Sequence, residues 1–470
     1  MDIIERPLEP VQRDRSRWWW LFLVFTAVPL IIWWVAWYPG ILSIESLTQL
    51  AEVDSADFTN EIPAIHSILV WLITRIWDSP AAVTLVQVAA MVALLGAYIR
   101  RSHGVGVPWW LGGITILVFG WLPAVGATTI ALEVQVAQTL VAIWVLVELM
   151  ALAPDSVRYL RDPWALARLS TALGMAWLFD HAGLVVVVLV FGALALGFRR
   201  SVGLLGAPVA GAVALFLLVQ GPLYAAFSVD RAVAPLGEAY APEVAAVYHH
   251  DAGWFSDADL ALLAAVADLE VWDAAYTCVD GAALIGDREF DTLVIRADPG
   301  AYRGLLFRAA GSHPTTVAGH RWCAAGVLLV PGQPFGERFS TYVYNVPPNE
   351  LGIVRDSLWV PGFNATKAIL VRTDQPDRLW MFWRAGTIVW PALAGIAALA
   401  VRRRHLAWPG LALVAFLVLA VLTVREPSFR ESFAVYSLSL LSLPLWWSAF
   451  REARTRSTGP PGGEPVSDSR

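Results

Sequence analysis

Apolar segments long enough to cross a bilayer recur along this chain, near residues 18–37, 81–99, 108–124, 127–150, 164–179, 182–198, 203–222, 381–401, 407–424 and 433–450. A helix needs about 20 apolar residues to cross the roughly 30 Å hydrocarbon layer, and it satisfies its own backbone polar groups there. No soluble fold buries so many such segments. The expectation is an α-helical polytopic membrane protein with about ten transmembrane helices. Only 15% of the 470 residues are charged, against roughly 25% in soluble domains. Arg6, Arg13, Arg15 and Arg17 precede the first segment, which has no small-residue cleavage site. It reads as a retained helix and not as a signal peptide.

Arg100-Arg101, Arg199-Arg200, Arg402-Arg403-Arg404, and Arg451 with Arg454 flank these segments on what should be one face. The positive-inside rule makes that face cytoplasmic. Ten spans with both termini cytoplasmic satisfy every cluster and place the protein in the cell (plasma) membrane. The chain then divides into an N-terminal transmembrane module 1–222 with an outer loop 38–80, an extracytoplasmic domain 223–380, C-terminal transmembrane helices 381–450, and a disordered cytoplasmic tail 451–470. The extracytoplasmic domain is expected to be mixed α/β, with a helix over Ser256–Leu269 and β-like runs at 292–295 and 326–330. A net charge of −6 leaves no basic footprint for nucleic acid. Lys367 is the only lysine.

The chemistry concentrates behind the first span. Residues Tyr38–Pro63 contain Glu45, Glu52, Asp54, Asp57 and Glu61 and no Lys or Arg. Ionisable groups at membrane depth are costly and mark functional sites by default. Ile41, Ile44, Leu47 and Leu50 recur at helical spacing, which predicts an interfacial helix with an apolar face. Its opposite face would carry Ser43, Ser46, Gln49 and Glu52. Residues 63–78 are barely long enough to cross and contain Arg75. They read as a second interfacial helix, with Trp71 and Trp77 at headgroup depth. Another acid, Glu133, stands at an outward helix start.

The segment Y-P-G-I-L-S-I-E-S-L-T-Q-L, followed by N-E-I-P-A-I-H-S-I-L, resembles the first outer loop of GT-C-type membrane glycosyltransferases. The likeness is to a bacterial branch with a P-G-x-x-S-x-D-S-x-x-Q pattern and a following H-P. Glu45 occupies the Asp position, Ile62 stands where His is usual, and Asp180, in L-F-D-H-A-G-L, stands where Arg is usual. The resemblance implies a GT-C-like fold and inverting transfer of a sugar from a polyprenyl-phosphate donor to a glycan, lipid or protein acceptor. It implies Glu45 as general base and Glu133 as a second acid. Arg430, in P-S-F-R-E-S-F, would contact the donor phosphate, with Arg425 beside it and Arg384 as a weaker candidate. His66, Asp180 and His181 would lie near the substrate. His181 would pair with Asp180 or be a hydrogen-bonded core residue. A divalent cation is left open as a cofactor, and membrane lipids are expected partners.

His249-His250-Asp251 does not make a metal site by itself, because adjacent imidazoles seldom reach one ion. Residues Phe339–Glu350, aromatic and polar, suit either stacking on sugars or a membrane-resting loop. Two readings compete with the enzyme: a transporter or flippase for a lipid-linked glycan, and a non-catalytic envelope scaffold. A transporter would place charged or broken helices at mid-bilayer, whereas here the ionisable residues gather at helix ends.

Cys278 and Cys323, the only two cysteines, fall in the outer segment. A disulfide between them would tie an early strand of that domain to a later one and add about 3–4 kcal/mol by loop closure. Reduction and alkylation of the native protein should show the bridge as a mass shift; two free thiols would reject it.

Overall fold

The computed structural model describes residues 19–199, 202–230, 240–332 and 339–450. Arg6, Arg13, Arg15, Arg17, Arg200, Arg451, Arg454 and the tail lie outside them. The described residues are mostly helical. In the first half the helices are α1 (Trp19–Ala36), α2 (Ile44–Ser55), α3 (Ala64–Thr74), α4 (Pro80–Gly104), α5 (Trp109–Trp121), α6 (Pro123–Thr129) and α7 (Val134–Leu152). They continue as α8 (Ser156–Arg161), α9 (Pro163–Leu178), α10 (Leu184–Gly197) and α11 (Val202–Leu218). Gly386–Arg402, Gly410–Thr423 and Phe429–Ser442 complete the bundle.

Five helices are long and apolar enough to cross a membrane, and six if the bent pair α5 and α6 is one span. The protein is therefore a polytopic membrane protein, but the expected count of about ten is not reached on that criterion. Leu184–Gly197, Gly386–Arg402 and Gly410–Thr423 are apolar but shorter. Helices of 14 to 17 residues extend about 21–26 Å at 1.5 Å per residue, less than the hydrocarbon layer. The chain bends by 68° between α5 and α6, where Pro123 opens the second helix. The expected span over 127–150 takes the form of α7, Val134–Leu152, with residues 127–129 in α6, and Glu133 is the N-cap of α7.

Close helix packing follows from small residues. A Cβ on Gly113, Gly120 or Gly126 would stand within 3 Å of Phe22, Thr26 or Trp33, so α1 can approach α5 and α6 only because these positions are glycine. One end of the bundle is basic. The Arg100 guanidinium lies over Trp19, and that of Arg402 lies over Phe450 and donates to the Ala449 carbonyl. The opposite end carries α2, α3 and the acidic residues.

No strand is present among the described residues; the only β contacts are three isolated parallel bridges. This corrects the expectation of a mixed α/β domain. The run at 292–295 lies in the helix Thr292–Ala297, and that at 326–330 in the helix Gly326–Leu329. Short apolar runs cannot be told from buried helix by periodicity. Asp291 caps the first, a start signal that favours helix. The expected helix over 256–269 begins after Ser256, which makes a capping box with Asp259, and ends at Val266. Residues 241–309 build a helical core of their own around Trp272, Tyr302 and Leu305. Phe339, Leu370 and Leu379 belong instead to the core of the bundle. Cys278 and Cys323 are bonded, with Cα atoms 5.7 Å apart. They join a loop to the helix Pro314–Ala324, where the sequence suggested two strands.

Gly40 links α1 to α2 with φ +137°, and a Cβ there would lie 2.9 Å from Thr84 Cγ2 and 3.0 Å from the Ile130 carbonyl oxygen. That conformation is open essentially to glycine alone. Gly40→Ala should lower stability by about 1–3 kcal/mol, read as a drop in the melting midpoint of the detergent-solubilised protein; an unchanged midpoint would contradict this account of the turn.

Candidate active site

Three distant stretches of the sequence meet at the acidic end of the bundle. Parallel backbone pairing brings the first two together: Ile41 N donates to the Ile130 carbonyl (3.0 Å), and Leu132 N to the Ile41 carbonyl (3.1 Å). This sets Glu45, in the first turn of α2, beside Glu133, the N-cap of α7. A second pairing joins Ser340 N to the Pro427 carbonyl and Phe429 N to the Ser340 carbonyl, both at 2.8 Å. It lays the 340–347 segment over the start of the last helix, which carries Arg430.

The result is one guanidinium among three carboxylates. Arg430 Nη1 and Nη2 donate to Glu45 Oε2 (2.7 Å) and Oε1 (2.9 Å). Its Nε donates to Glu426 Oε1 at 2.7 Å, and its Nη1 lies 3.6 Å from Glu133 Oε1. The two parallel bonds to Glu45 use the planar fork that only arginine offers. A cavity of about 470 Å³ opens beside this cluster; Ser43, Glu45, Glu133, Thr341, Tyr342 and Arg430 are among its lining residues. Thus the cluster brings together Glu45, Glu133 and Arg430, and it adds Glu426, which the sequence reading missed. The available signal was the i, i+4 spacing of Glu426 and Arg430.

The three acids differ in environment. Glu45 is the open one, its side chain 53% exposed, while that of Glu133 is 7% exposed. Burial lifts the Glu133 carboxyl above its usual range, and Arg430 only partly offsets this. Burial also pushes Glu426 up, but the Arg430 guanidinium outweighs it and holds this carboxyl below the usual range. Glu133 is therefore the group suited to carry a proton, and Glu426 the one held as an anion.

The remaining predicted residues lie elsewhere. His66 is buried, with Nδ1 2.8 Å from the Gln49 amide nitrogen, and burial lowers its pKa to about 4. Its partner is Gln49, and its role there is to hold α2 against α3. This corrects the face expected of α2: Ser46 and Gln49 are buried, whereas Ile44 is 72% exposed. Asp180 accepts from Gln138 Nε2 (2.9 Å) and the Ala182 amide (2.8 Å), so it caps its own turn and does not pair with His181. His181 is exposed and approaches the Glu61 carbonyl at 3.4 Å. Arg425 is exposed and outside the cavity lining; its carbonyl accepts from Gly281 N at 2.7 Å. Arg384 precedes its helix and is buried under Phe339, with the guanidinium 3.9 Å from the ring centroid. His249 pairs with Asp273 and His313 with Asp251.

Among the described residues no group of three or more His, Cys, Asp or Glu side chains is placed to hold a metal ion. Calcium and magnesium need oxygens about 2.0–2.6 Å from a common centre, and here the Arg430 guanidinium occupies that centre. The geometry does not suit the divalent cation that the sequence left open.

Two substitutions separate the acids by pH. Glu426→Gln should cost about 1.5–3 kcal/mol near neutral pH, the scale of a hydrogen bond to a charged group. A carboxyl held low in the fold stabilises above its ordinary value of 4.5, and that contribution is lost as pH falls through the lower folded value. The gap from wild type should therefore close in acid. Glu133 has the opposite sign, its contribution being full below 4.5 and lost as pH rises through the raised value. Wild type should match Glu133→Gln in acid and fall behind it toward pH 8. Thermal melts across pH read both; parallel curves would contradict the assignments.

No protein-family model and no curated protein matches the sequence. Two solved structures are similar to the chain. One is the archaeal oligosaccharyltransferase AglB from Archaeoglobus fulgidus, in complex with an inhibitory peptide and a dolichol-phosphate, at TM-score 0.44 and 13% identity over 95% of this chain and 53% of that one. The other is ArnT from Cupriavidus metallidurans bound to undecaprenyl phosphate, at TM-score 0.35 and 14% identity over 94% and 79%. The chain thus spans about half the length of the first.

Proposed function

We propose that the protein is a membrane glycosyltransferase that moves a sugar from a polyprenyl-phosphate donor to an acceptor hydroxyl, at the end of the bundle opposite the basic clusters. On the positive-inside rule that end is extracytoplasmic. The observation that carries the reading is the fork between Arg430 and Glu45 at the rim of a 470 Å³ cavity. It joins a phosphate-binding cation to a solvent-facing base.

In the resting state Arg430 is engaged by Glu45 and Glu426. The donor phosphate competes with Glu45 for the fork, since a phosphate offers the same paired oxygens as a carboxylate. Exchange frees Glu45 as the donor arrives. Glu45 then takes the acceptor O–H proton, and the acceptor oxygen attacks the anomeric carbon. The bond from that carbon to the phosphate oxygen breaks, and the electron pair leaves with the polyprenyl phosphate, whose charge Arg430 holds. Glu426 keeps Arg430 in place throughout. Glu133, with its raised carboxyl, orients the acceptor by hydrogen bonding. General-base assistance of this sort contributes about 10²–10⁴-fold. Tyr342 and Pro347 in the cavity wall support sugar contact by the 339–350 segment.

The test uses membranes lacking the protein, complemented with wild type or Glu45→Gln, and a panel of polyprenyl-phosphate sugars. Wild type should consume one donor, and the variant should lose at least about 10²-fold. Undiminished turnover in the variant would sink the base assignment. Because Glu45 competes for Arg430, Glu45→Gln should also bind polyprenyl phosphate several-fold more tightly. Weaker or equal binding would remove the exchange step. Arg430→Lys keeps the charge but loses the fork, and should lower both affinity and turnover.

A further inference from the structure

A second concavity, of about 500 Å³, lies beside the helix Val360–Thr373, and its lining includes Asn364, Lys367, Val371, Arg372 and Arg378. The helix buries Gly362, Thr366, Leu370 and Thr373 along one stripe. Trp37 Nε1 donates to Thr366 Oγ1 at 2.8 Å, which ties that stripe to the residue just past α1 and fixes the helix at the acidic end of the bundle. The outward stripe interleaves basic and apolar residues: Val360, Lys367 and Val371 at i, i+7 and i+11, with Arg372 beside them. Val360, Val371 and Ile369 are exposed, and exposed tryptophans flank the helix in sequence, Trp359 just before it and Trp380 in the next short helix. Exposed apolar residues, flanking tryptophans and cations on one short helix are the pattern of a segment at the headgroup level.

The cations are poorly neutralised. Lys367 Nζ lies 6.0 Å from the Tyr344 ring centroid and 5.8 Å from that of Phe363. Arg372 makes no ion pair among the described residues. Arg378 Nε is 3.6 Å from Asp377, whose side chain is 73% exposed. Asp374 is engaged by Thr341 Oγ1 at 2.7 Å. Three cations thus border the groove, and among the described residues Asp377 is the acid that pairs with one of them.

We propose that this groove binds the phosphate headgroup of an anionic membrane phospholipid, with the acyl chains running past Val360 and Val371. Lys367, Arg372 and Arg378 supply the charge, and their stems lie along the apolar surface while the heads reach the phosphate. Asn364 offers a further donor. The site is independent of the transfer reaction proposed above.

Native mass spectrometry of the full-length protein, released from bilayers of phosphatidylcholine with phosphatidylglycerol, tests it. Wild type should retain phosphatidylglycerol over phosphatidylcholine by about tenfold or more, the scale that two or three basic contacts supply. The triple variant Lys367→Gln, Arg372→Gln, Arg378→Gln should lose that preference with an unchanged melting point. Equal retention by wild type, or a preference that survives the triple change, would overturn the proposal. So would retention of undecaprenyl phosphate alone, which would give the groove to the donor. If the triple variant fails to fold, the single lysine serves instead. Acetylation of Lys367 by an uncharged reagent should slow several-fold in bilayers containing phosphatidylglycerol, and an unchanged rate would overturn the site.

Discussion

The acidic end of this protein depends on one guanidinium. Arg430 donates to Glu45 and Glu426 and lies 3.6 Å from Glu133. Three carboxylates crowded at the mouth of an apolar bundle would repel one another, and each loses hydration there. A shared cation makes the cluster tolerable, and its planar fork sets the orientation of Glu45. Because the acids come from α2, the N-cap of α7 and the loop before the last helix, the ion pairs also tie together three separate stretches of the chain.

That geometry is held from several sides. Backbone pairing at Ile41 with Ile130 and Leu132 sets the height of Glu45 against Glu133. Pairing of Ser340 with Pro427 and Phe429 sets the 340–347 segment as the cavity wall. The outer helical unit reaches the same loop: Gly281 N donates to the Arg425 carbonyl, and Arg321 Nη1 donates to the Val424 carbonyl at 3.0 Å. The disulfide joins the loop before Gly281 to the helix that carries Arg321. The outer unit therefore buttresses the residues immediately before Arg430. The chemistry proposed for the cavity gives that buttress a purpose, since exchange of a carboxylate for a phosphate on one fork requires that the fork itself stay still.

The first loop illustrates how polar residues serve structure at a membrane edge. Gln49 turns inward from α2 to meet His66 and Ser67 on α3. Ile44 is exposed at the cavity that it lines with Glu45, while Leu47, Leu50 and Val53 turn inward beside Gln49. The hydrogen-bonding groups are needed inside, where two short helices lock together.

The sequence alone determined that the chain lies in a membrane, because apolar segments of such length have no other home. It also singled out Glu45 and Glu133, since acids at the ends of apolar helices stand out against a background of few charges, and Arg430 through the family resemblance. The helix start at Ser256 was legible too, because a cap is satisfied within one turn. Only the tertiary structure decided that Glu45, Glu133 and Arg430 converge, that Glu426 joins them, and that His66, Asp180 and Arg425 stand outside this cluster. Hydrogen bonds between residues as far apart as Glu45 and Arg430, 385 positions, leave no periodic trace. The helical state of residues 292–295 and 326–330 was decided the same way, because a four-residue apolar run satisfies strand and helix patterns equally until its neighbours choose.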